Sequence, residues 1–472
     1  MCATTHTTAF SIHAHFYQPP REDPFTGEIP VESSAAPYLN WNERIHAECY
    51  RPNAQLRNFE RISFNMGPTL ISWLQSRHPV TYQQILEQDR ANLKHYGVGN
   101  ALAQPYHHTI LPLGANPDKA TQIYWGIADF QHRFRRKPQG IWLPETAVDN
   151  ETLDVLARLG IEFTILAPWQ AEGGDIDPSE PYIVHLPQGR KITVFFYQRE
   201  LSGRVSFDPH ATINADHFAQ EILRPVFDPQ KTRRGDAQLL LIASDGELYG
   251  HHQSLRDRFL AHLVNGASSS LGLHSTYPAL WLKIHPPRRS AYILDNTSWS
   301  CHHGVGRWTG ECACTPGNPF WKRRLRQAFD HLASQIDRLY LDEICTLARD
   351  PWRLRARYIH VRLGEMTLPA LLGEETDKTL TSEQLRRADL LLQAQFERQR
   401  MFTSCGWFFE DFDRIEPKNN VAYAAHAAAL TQQATGVDLA TETLQTLRQV
   451  SSARTGLSAA QVFEAALARS QA

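Results

Sequence analysis

Seven short apolar runs punctuate the first half of the chain: AFSIHAHF (9–16), RISFNM (61–66), GVGNALAQ (97–104), GIWLPE (140–145), EFTILAP (162–168), KITVFFYQ (191–198) and LLLIASDGE (239–247). Most are separated by stretches whose apolar residues recur at helical spacing, such as PTLISWLQSR, DKATQIYWGIADFQHRF and NETLDVLARLG. Strand, helix, strand repetition requires parallel pairing with crossovers, so a parallel α/β domain is expected over residues 1–300. Beyond about residue 320 the pattern changes to long amphipathic segments, WKRRLRQAFDHLASQIDRLYLDEI, SEQLRRADLLLQAQFERQRMF and NVAYAAHAAALTQQATGV, which predict a C-terminal α-helical domain over 301–472. Between the two, HPPRRSAYILDNTSWSCHHGVGRWTGECACTPGNPF has no period and is rich in Gly, Pro, Trp, Cys and His, the character of a loop that lines a site.

At 472 residues and 42% hydrophobic, the chain can bury a large core. The 48 lysines and arginines nearly balance 50 aspartates and glutamates, which argues against nucleic acid, a membrane surface or a polyanion as partner and suits a neutral, polyhydroxylated substrate. Seven cysteines at irregular spacing do not make a disulfide framework, and the first residues lack the basic and apolar regions of a signal peptide. No stretch reaches the roughly 18 apolar residues of a membrane span, so a cytoplasmic location is expected. The composition leaves the oligomeric state open.

Two carboxylates stand at strand ends, where parallel barrels place their chemistry. Glu145 closes GIWLPE behind Pro144, which stiffens the turn; its bland role would be to cap the helix that follows. Asp245 closes an aliphatic strand that turns abruptly polar at Gly246 and Gly250, and the alternative is a simple turn. Glu247 lies two residues on, positioned to point the same way as Asp245 if the strand continues. A pair of carboxylates on nearby strand ends is what glycoside hydrolysis requires, one as nucleophile and one as acid and then base.

His13 and His15 alternate on the first strand ahead of Gln18, and PYHHTILPL adds His107 and His108. These suit hydroxyl recognition, with a metal site built on His13, His15 and Asp245, of the deacetylase kind, as the competing reading; no HxxEH or HxxxH spacing supports it. Cys301, His302, His303, Cys312 and Cys314 crowd WSCHHGVGRWTGECACT. Zinc is the sharper reading there, but with no CxxC pair the segment reads as a packed loop with partly buried thiols, and neither metal nor cofactor is expected. Among the tryptophans, Trp142, Trp169 and Trp407 lie in or beside motif segments and could stack on sugar rings.

In order, HAHFYQP, PYHHTILPL, GIWLPE and ASDGELYGHH resemble the conserved regions of glycoside hydrolase family 57, over roughly residues 8 to 280. SWSCHHGVGRW and MFTSCGWFFEDFDRIE resemble an uncharacterised domain that follows the barrel in one branch of that family. The resemblance implies a distorted (β/α)7 barrel followed by a C-terminal helical domain that contributes to the active-site cleft. It further implies Glu145 as nucleophile and Asp245 as general acid/base, with net retention and no metal. His13, His15, Gln18, His108, Trp142, Trp169, Glu247 and Trp407 become substrate-binding candidates. The implied substrates are oligo- or polysaccharides of the α-glucan type, handled by an amylase, 4-α-glucanotransferase or branching activity. The alternatives are the metal-dependent hydrolase and a non-catalytic glycan binder.

Overall fold

A computed structural model describes residues 7–470 apart from 175, 311 and 377. The chain divides into two units, one of residues 1–18, 31–104 and 133–295, the other of residues 19–30, 105–132 and 296–472.

The first unit is a barrel. Its main strands are β1 (Thr8–Phe16), β2 (Ser63–Met66), β3 (Ala101–Leu102), β4 (Gly140–Ile141), β5 (Phe163–Leu166), β6 (Tyr182–His185), β7 (Lys191–Phe196) and β8 (Gln238–Asp245), beside two-residue strands at His274–Ser275 and Arg289–Ser290. Parallel pairing runs β8–β1–β2–β3 on one side and β4–β5–β7 on the other. A parallel bridge between Ala103 and Ile141 joins β3 to β4. On the far side the Gln198 amide donates to the Leu241 carbonyl at 2.7 Å, joining the end of β7 to β8. Seven parallel strands therefore form the ring, and β6 is an extra strand antiparallel to β7. With β3 and β4 reduced to two residues each, the ring is a distorted (β/α)7 barrel, as expected. Each of the seven apolar runs falls on one ring strand. β6 escaped that reading because YIVH is shorter and carries only three apolar positions.

The connecting helices follow from local chemistry. Asn150–Arg158 begins where the Asp149 carboxylate accepts the Thr152 amide at 2.8 Å. It buries Leu153, Val155 and Leu156, and the chain reverses at Gly160. Central strands buried on both faces explain the near-continuous apolar character of β1 and β8.

The second unit is mainly helical. Helices Phe320–Ile344, Pro351–Arg362, Ser382–Arg400 and Ile415–Thr435 contribute to a core that includes Tyr340, Ile344, Leu354, Tyr358, Leu391, Leu392 and Ala434. Among these apolar contacts lies a buried ionic cluster: Arg398 pairs with Asp118 at 2.7 Å and Asp337 at 2.6 Å, and Arg355 reaches Asp118 at 3.0 Å. Pairing among these four residues offsets the desolvation that each charge would suffer alone. No described helix is long and apolar enough to cross a membrane.

Candidate active site at the C-terminal ends of the barrel strands

Parallel register levels the site residues. His15 on β1 stands opposite Asn65 on β2 and opposite Asp245 on β8, so the three lie side by side at the C-terminal rim. One amide organises this floor. Asn65 Oδ1 accepts from His13 Nε2 at 3.2 Å, while Asn65 Nδ2 donates to His15 Nδ1 at 3.0 Å and to Gln104 Oε1 at 2.7 Å. That assignment makes His13 Nδ1 the acceptor of the Ser63 hydroxyl at 2.9 Å and puts the His15 proton on Nε2. Burial drives His13 down to about 3, with His15 as a second cause, and burial drives His15 to about 4, so both imidazoles are neutral near pH 7. Trp142, fully buried after β4, lies against both rings, 4.6 Å from His13 and 5.4 Å from His15 between centroids.

Glu145 is delivered by an unusual turn. Pro144–Thr146 forms a short helical turn in which Glu145 has φ 58° and Thr146 φ 47°. Successive left-handed conformations in non-glycine residues are costly, the more so for a β-branched threonine, and persist only where neighbours enforce them. The enforcing neighbour is Gln170, buried in the turn after β5. Its Nε2 donates to the Thr146 carbonyl at 2.8 Å, and its Oε1 accepts the Thr146 hydroxyl at 2.9 Å and the Ala167 amide at 2.8 Å. Glu145 thus projects from a turn locked on its C-terminal side.

Asp245 ends β8. Gly246 follows because an added Cβ would lie 2.3 Å from the Phe16 ring, so no other residue lets the turn pack on β1. Solvent reaches Asp245, yet enough protein surrounds the carboxyl at longer range for desolvation to be the larger cause of its raised pKa. The charge of Glu145 is the second cause, and together they bring Asp245 to about 7. A carboxyl whose proton affinity is raised can serve as the acid of such a pair.

Glu247 does not continue the strand. It sits in the turn Gly246–Leu248, buried, and its Oε1 accepts the Tyr50 hydroxyl at 2.7 Å and the Tyr17 amide at 3.2 Å. Gln18 is buried beside it and donates to Tyr50 Oη at 3.1 Å. Burial first, and the charge of Asp245 besides, raise Glu247 to about 8, its hydrogen bonds to Tyr50 and Tyr17 opposing. Gln18, Tyr50 and Glu247 form a chain of hydrogen bonds whose end, Glu247, feels the charge of Asp245. Trp169, three residues beyond β5, remains 37% exposed, with Arg199 stacked over it at 5.4 Å and Tyr197 at its edge. It is the tryptophan of the set with an accessible face.

Two of the expected residues belong to the second unit. His108 is buried with φ 54° and its Nδ1 is 2.7 Å from the Ser404 hydroxyl. Trp407 is a core residue there, its ring against Phe329 and Phe402 and its Nε1 donating to the Lys322 carbonyl at 3.1 Å.

Sequence reading missed Asn65, Gln104, Tyr50, Thr146 and Gln170. Asn65 was detectable in principle as a polar residue inside the apolar run RISFNM. The competing metal reading gains nothing here: both nitrogens of His13 are engaged by Ser63 and Asn65. Among the described residues, the groups of donors that converge are Cys301, His303, Cys312 and Cys314, and Glu43, His46 and His78.

Fold and site together define a (β/α)7 barrel whose strand ends carry two electrostatically coupled carboxylates. Residues 9–284 match the model described as Glycosyl hydrolase family 57, and the chain belongs to that family. Residues 318–472 match a second model, described as Domain of unknown function (DUF3536). Over 251 residues the chain is 25% identical to Alpha-amylase 1 of Dictyoglomus thermophilum, covering 52% of this chain and 32% of that protein, so it spans about a third of the length of this curated relative. Similar solved structures include an exo-type maltose-forming amylase from Pyrococcus sp. ST04, with TM-score 0.73 at 16% identity over 98% of this chain and 89% of that one. A GH57-type branching enzyme from Pyrococcus horikoshii gives 0.63 at 15% identity, over 99% and 95% of the two chains. The 4-alpha-glucanotransferase of Thermococcus litoralis gives 0.57 at 15% identity, over 91% and 60%. At such identities the structural likeness establishes the fold.

Proposed function

We propose that this protein is a retaining glycoside hydrolase or transglycosylase acting on α-glucans, with Glu145 as nucleophile and Asp245 as general acid and then base. The observation that carries the reading is the electrostatic coupling of the pair: Asp245 is raised to about 7 partly by the charge of Glu145. Attack by the Glu145 carboxylate on the anomeric carbon forms a glycosyl ester while Asp245 gives its proton to the departing oxygen. Glu145 is then neutralised in the ester, which removes its charge from the field around Asp245. The Asp245 pKa falls, and the carboxyl that has just lost its proton is poised to take one from water or from a sugar hydroxyl. Neutral His13 and His15, the exposed face of Trp169 and the Gln18–Tyr50–Glu247 chain support substrate and acid beside this pair. The names of the relatives, an amylase, a branching enzyme and a glucanotransferase, support α-glucan as the substrate class.

Incubation with a panel of α-glucans, with product size followed by chromatography and anomeric form by proton NMR, tests the reading. The expected result is an α-anomer as first product, with E145Q reduced to background. An inverted product, or an E145Q variant as active as the unaltered chain, overturns it. We also place the enzyme in a reducing, cytoplasmic setting, a reading supported by Cys49, Cys301, Cys312, Cys314, Cys345 and Cys405 all remaining thiols.

A further inference from the structure

The cysteine-rich segment reads differently once folded. Cys301 Sγ lies 3.5 Å from Cys312 Sγ and 3.8 Å from Cys314 Sγ, and His303 Nδ1 lies 3.2 Å from Cys314 Sγ. The four donor atoms all fall within 4.8 Å of one another. A disulfide would bring two sulfurs to about 2.05 Å, so these are separate thiols. A tetrahedron with Zn–S of about 2.3 Å and Zn–N of about 2.0 Å has S···S edges of about 3.8 Å and S···N edges of about 3.5 Å. The Cys301–Cys312, Cys301–Cys314 and His303–Cys314 separations lie within a few tenths of an ångström of those edges.

Apolar packing does not account for the cluster. His303 is exposed and Cys314 is half-buried, so burial does not force the imidazole onto the sulfur. Gly304 makes the tight turn between ligands possible, with φ 69° and no room for a Cβ, which would lie 2.1 Å from the Asn296 carbonyl oxygen.

We propose that Cys301, His303, Cys312 and Cys314 bind one structural zinc ion. Four protein ligands leave no open coordination position, the arrangement of a closed structural site rather than a catalytic one. Sulfur and imidazole donors in a tetrahedral set select zinc over magnesium or calcium. Three thiolates, a neutral imidazole and Zn²⁺ carry a net charge of about −1. That charge has a counterpart in Lys322, which is only 2% exposed, lies within the field of Cys301 and Cys312, and donates to the Thr315 hydroxyl at 3.2 Å. The ion would close the irregular segment on itself, and Arg307 and Thr315 already tie that segment to the Phe408 carbonyl at 3.4 Å. The C-x-H…C-x-C spacing lacks a CxxC pair, which is why the sequence reading took these residues as packed thiols without a metal; Gly304 and Gly310, both with positive φ, turn the chain between the ligand pairs. The segment lies between the two stretches that match family models, and neither covers it.

Elemental analysis of the full chain, expressed with zinc in the medium and purified without chelator, should find a single zinc ion per chain, with C312S reduced to background. Because C312S could fail to fold, the unaltered chain is also stripped with a chelator and titrated with Co²⁺. Intense visible d–d bands and a near-ultraviolet sulfur-to-cobalt band at one equivalent are expected, with altered bands in H303A. Metal-free protein that takes up neither Zn²⁺ nor Co²⁺ overturns the proposal, as does a Cys301–Cys312 disulfide in peptides from protein purified without oxygen.

Discussion

Gln170 holds Thr146 at both ends of the residue, donating to its carbonyl and accepting from its hydroxyl, and so keeps the turn that presents Glu145 in a left-handed conformation. Strain of about 1–3 kcal/mol per residue is stored in such a turn and released if the grip is lost. Q170L keeps the approximate volume and removes the hydrogen bonds. A carboxylate displaced by an ångström predicts a fall in kcat of about 10²-fold with KM nearly unchanged. Steady-state kinetics on an α-glucan checks this, and a Q170L enzyme with unaltered kcat would remove the clamp from the account.

The coupling of the two carboxylates is measurable without turnover. In E145Q, Asp245 loses the Coulombic cause of its raised pKa and keeps the larger desolvation cause, so its titration moves down from about 7 while staying above 3.8. Carbon-13 NMR of the Asp245 carboxyl in the two proteins reads the shift directly. Identical titrations would mean that the pair does not interact.

Activity should fall on the alkaline side as Asp245 ionises. The acid must start protonated, so kcat/KM declines about tenfold per pH unit above about 7. D245N, which cannot donate a proton, should lose activity by about 10²- to 10⁴-fold and lose that alkaline limb with it. A limb of the same midpoint in residual D245N activity would assign it to another group.

The buried histidines set a limit on acid stability. His13 titrates near 3 in the folded barrel against 6.5 when unfolded, and His15 near 4. Between those values the unfolded chain binds protons that the folded chain refuses, so stability is intact above 6.5 and is lost as the pH falls through that window. Each histidine contributes a slope of about 1.4 kcal/mol per pH unit there. Urea unfolding at a series of pH values from 7 to 4 should show H13Q to be less acid-sensitive than the unaltered chain. Parallel slopes in the two proteins would contradict neutral burial of His13.

Much of this architecture was legible along the chain. Apolar runs of strand length alternating with helical periodicity predict parallel pairing, because buried strands between crossover helices are apolar on both faces, and all seven ring strands fall where such runs lie. Glu145 and Asp245 stood out as charges ending apolar strands, which is a local signal. What folding alone decided is lateral. The register that sets His15 beside Asn65 and Asp245 joins residues about 50 and 230 positions apart, and no local pattern encodes it. Glu247 was expected to share the direction of Asp245, but the turn at Gly246 rotates it inward to Tyr50, a partner 197 residues distant. The donor atoms of Cys301, His303, Cys312 and Cys314 likewise come within 4.8 Å of one another only in the folded loop. Strand identity and the two carboxylates are properties of short stretches of sequence, through burial and period. The pKa of Asp245, the neutrality of the histidines and the convergence of the thiols depend on what other strands and loops bring within a few ångströms, and those are properties of the tertiary structure.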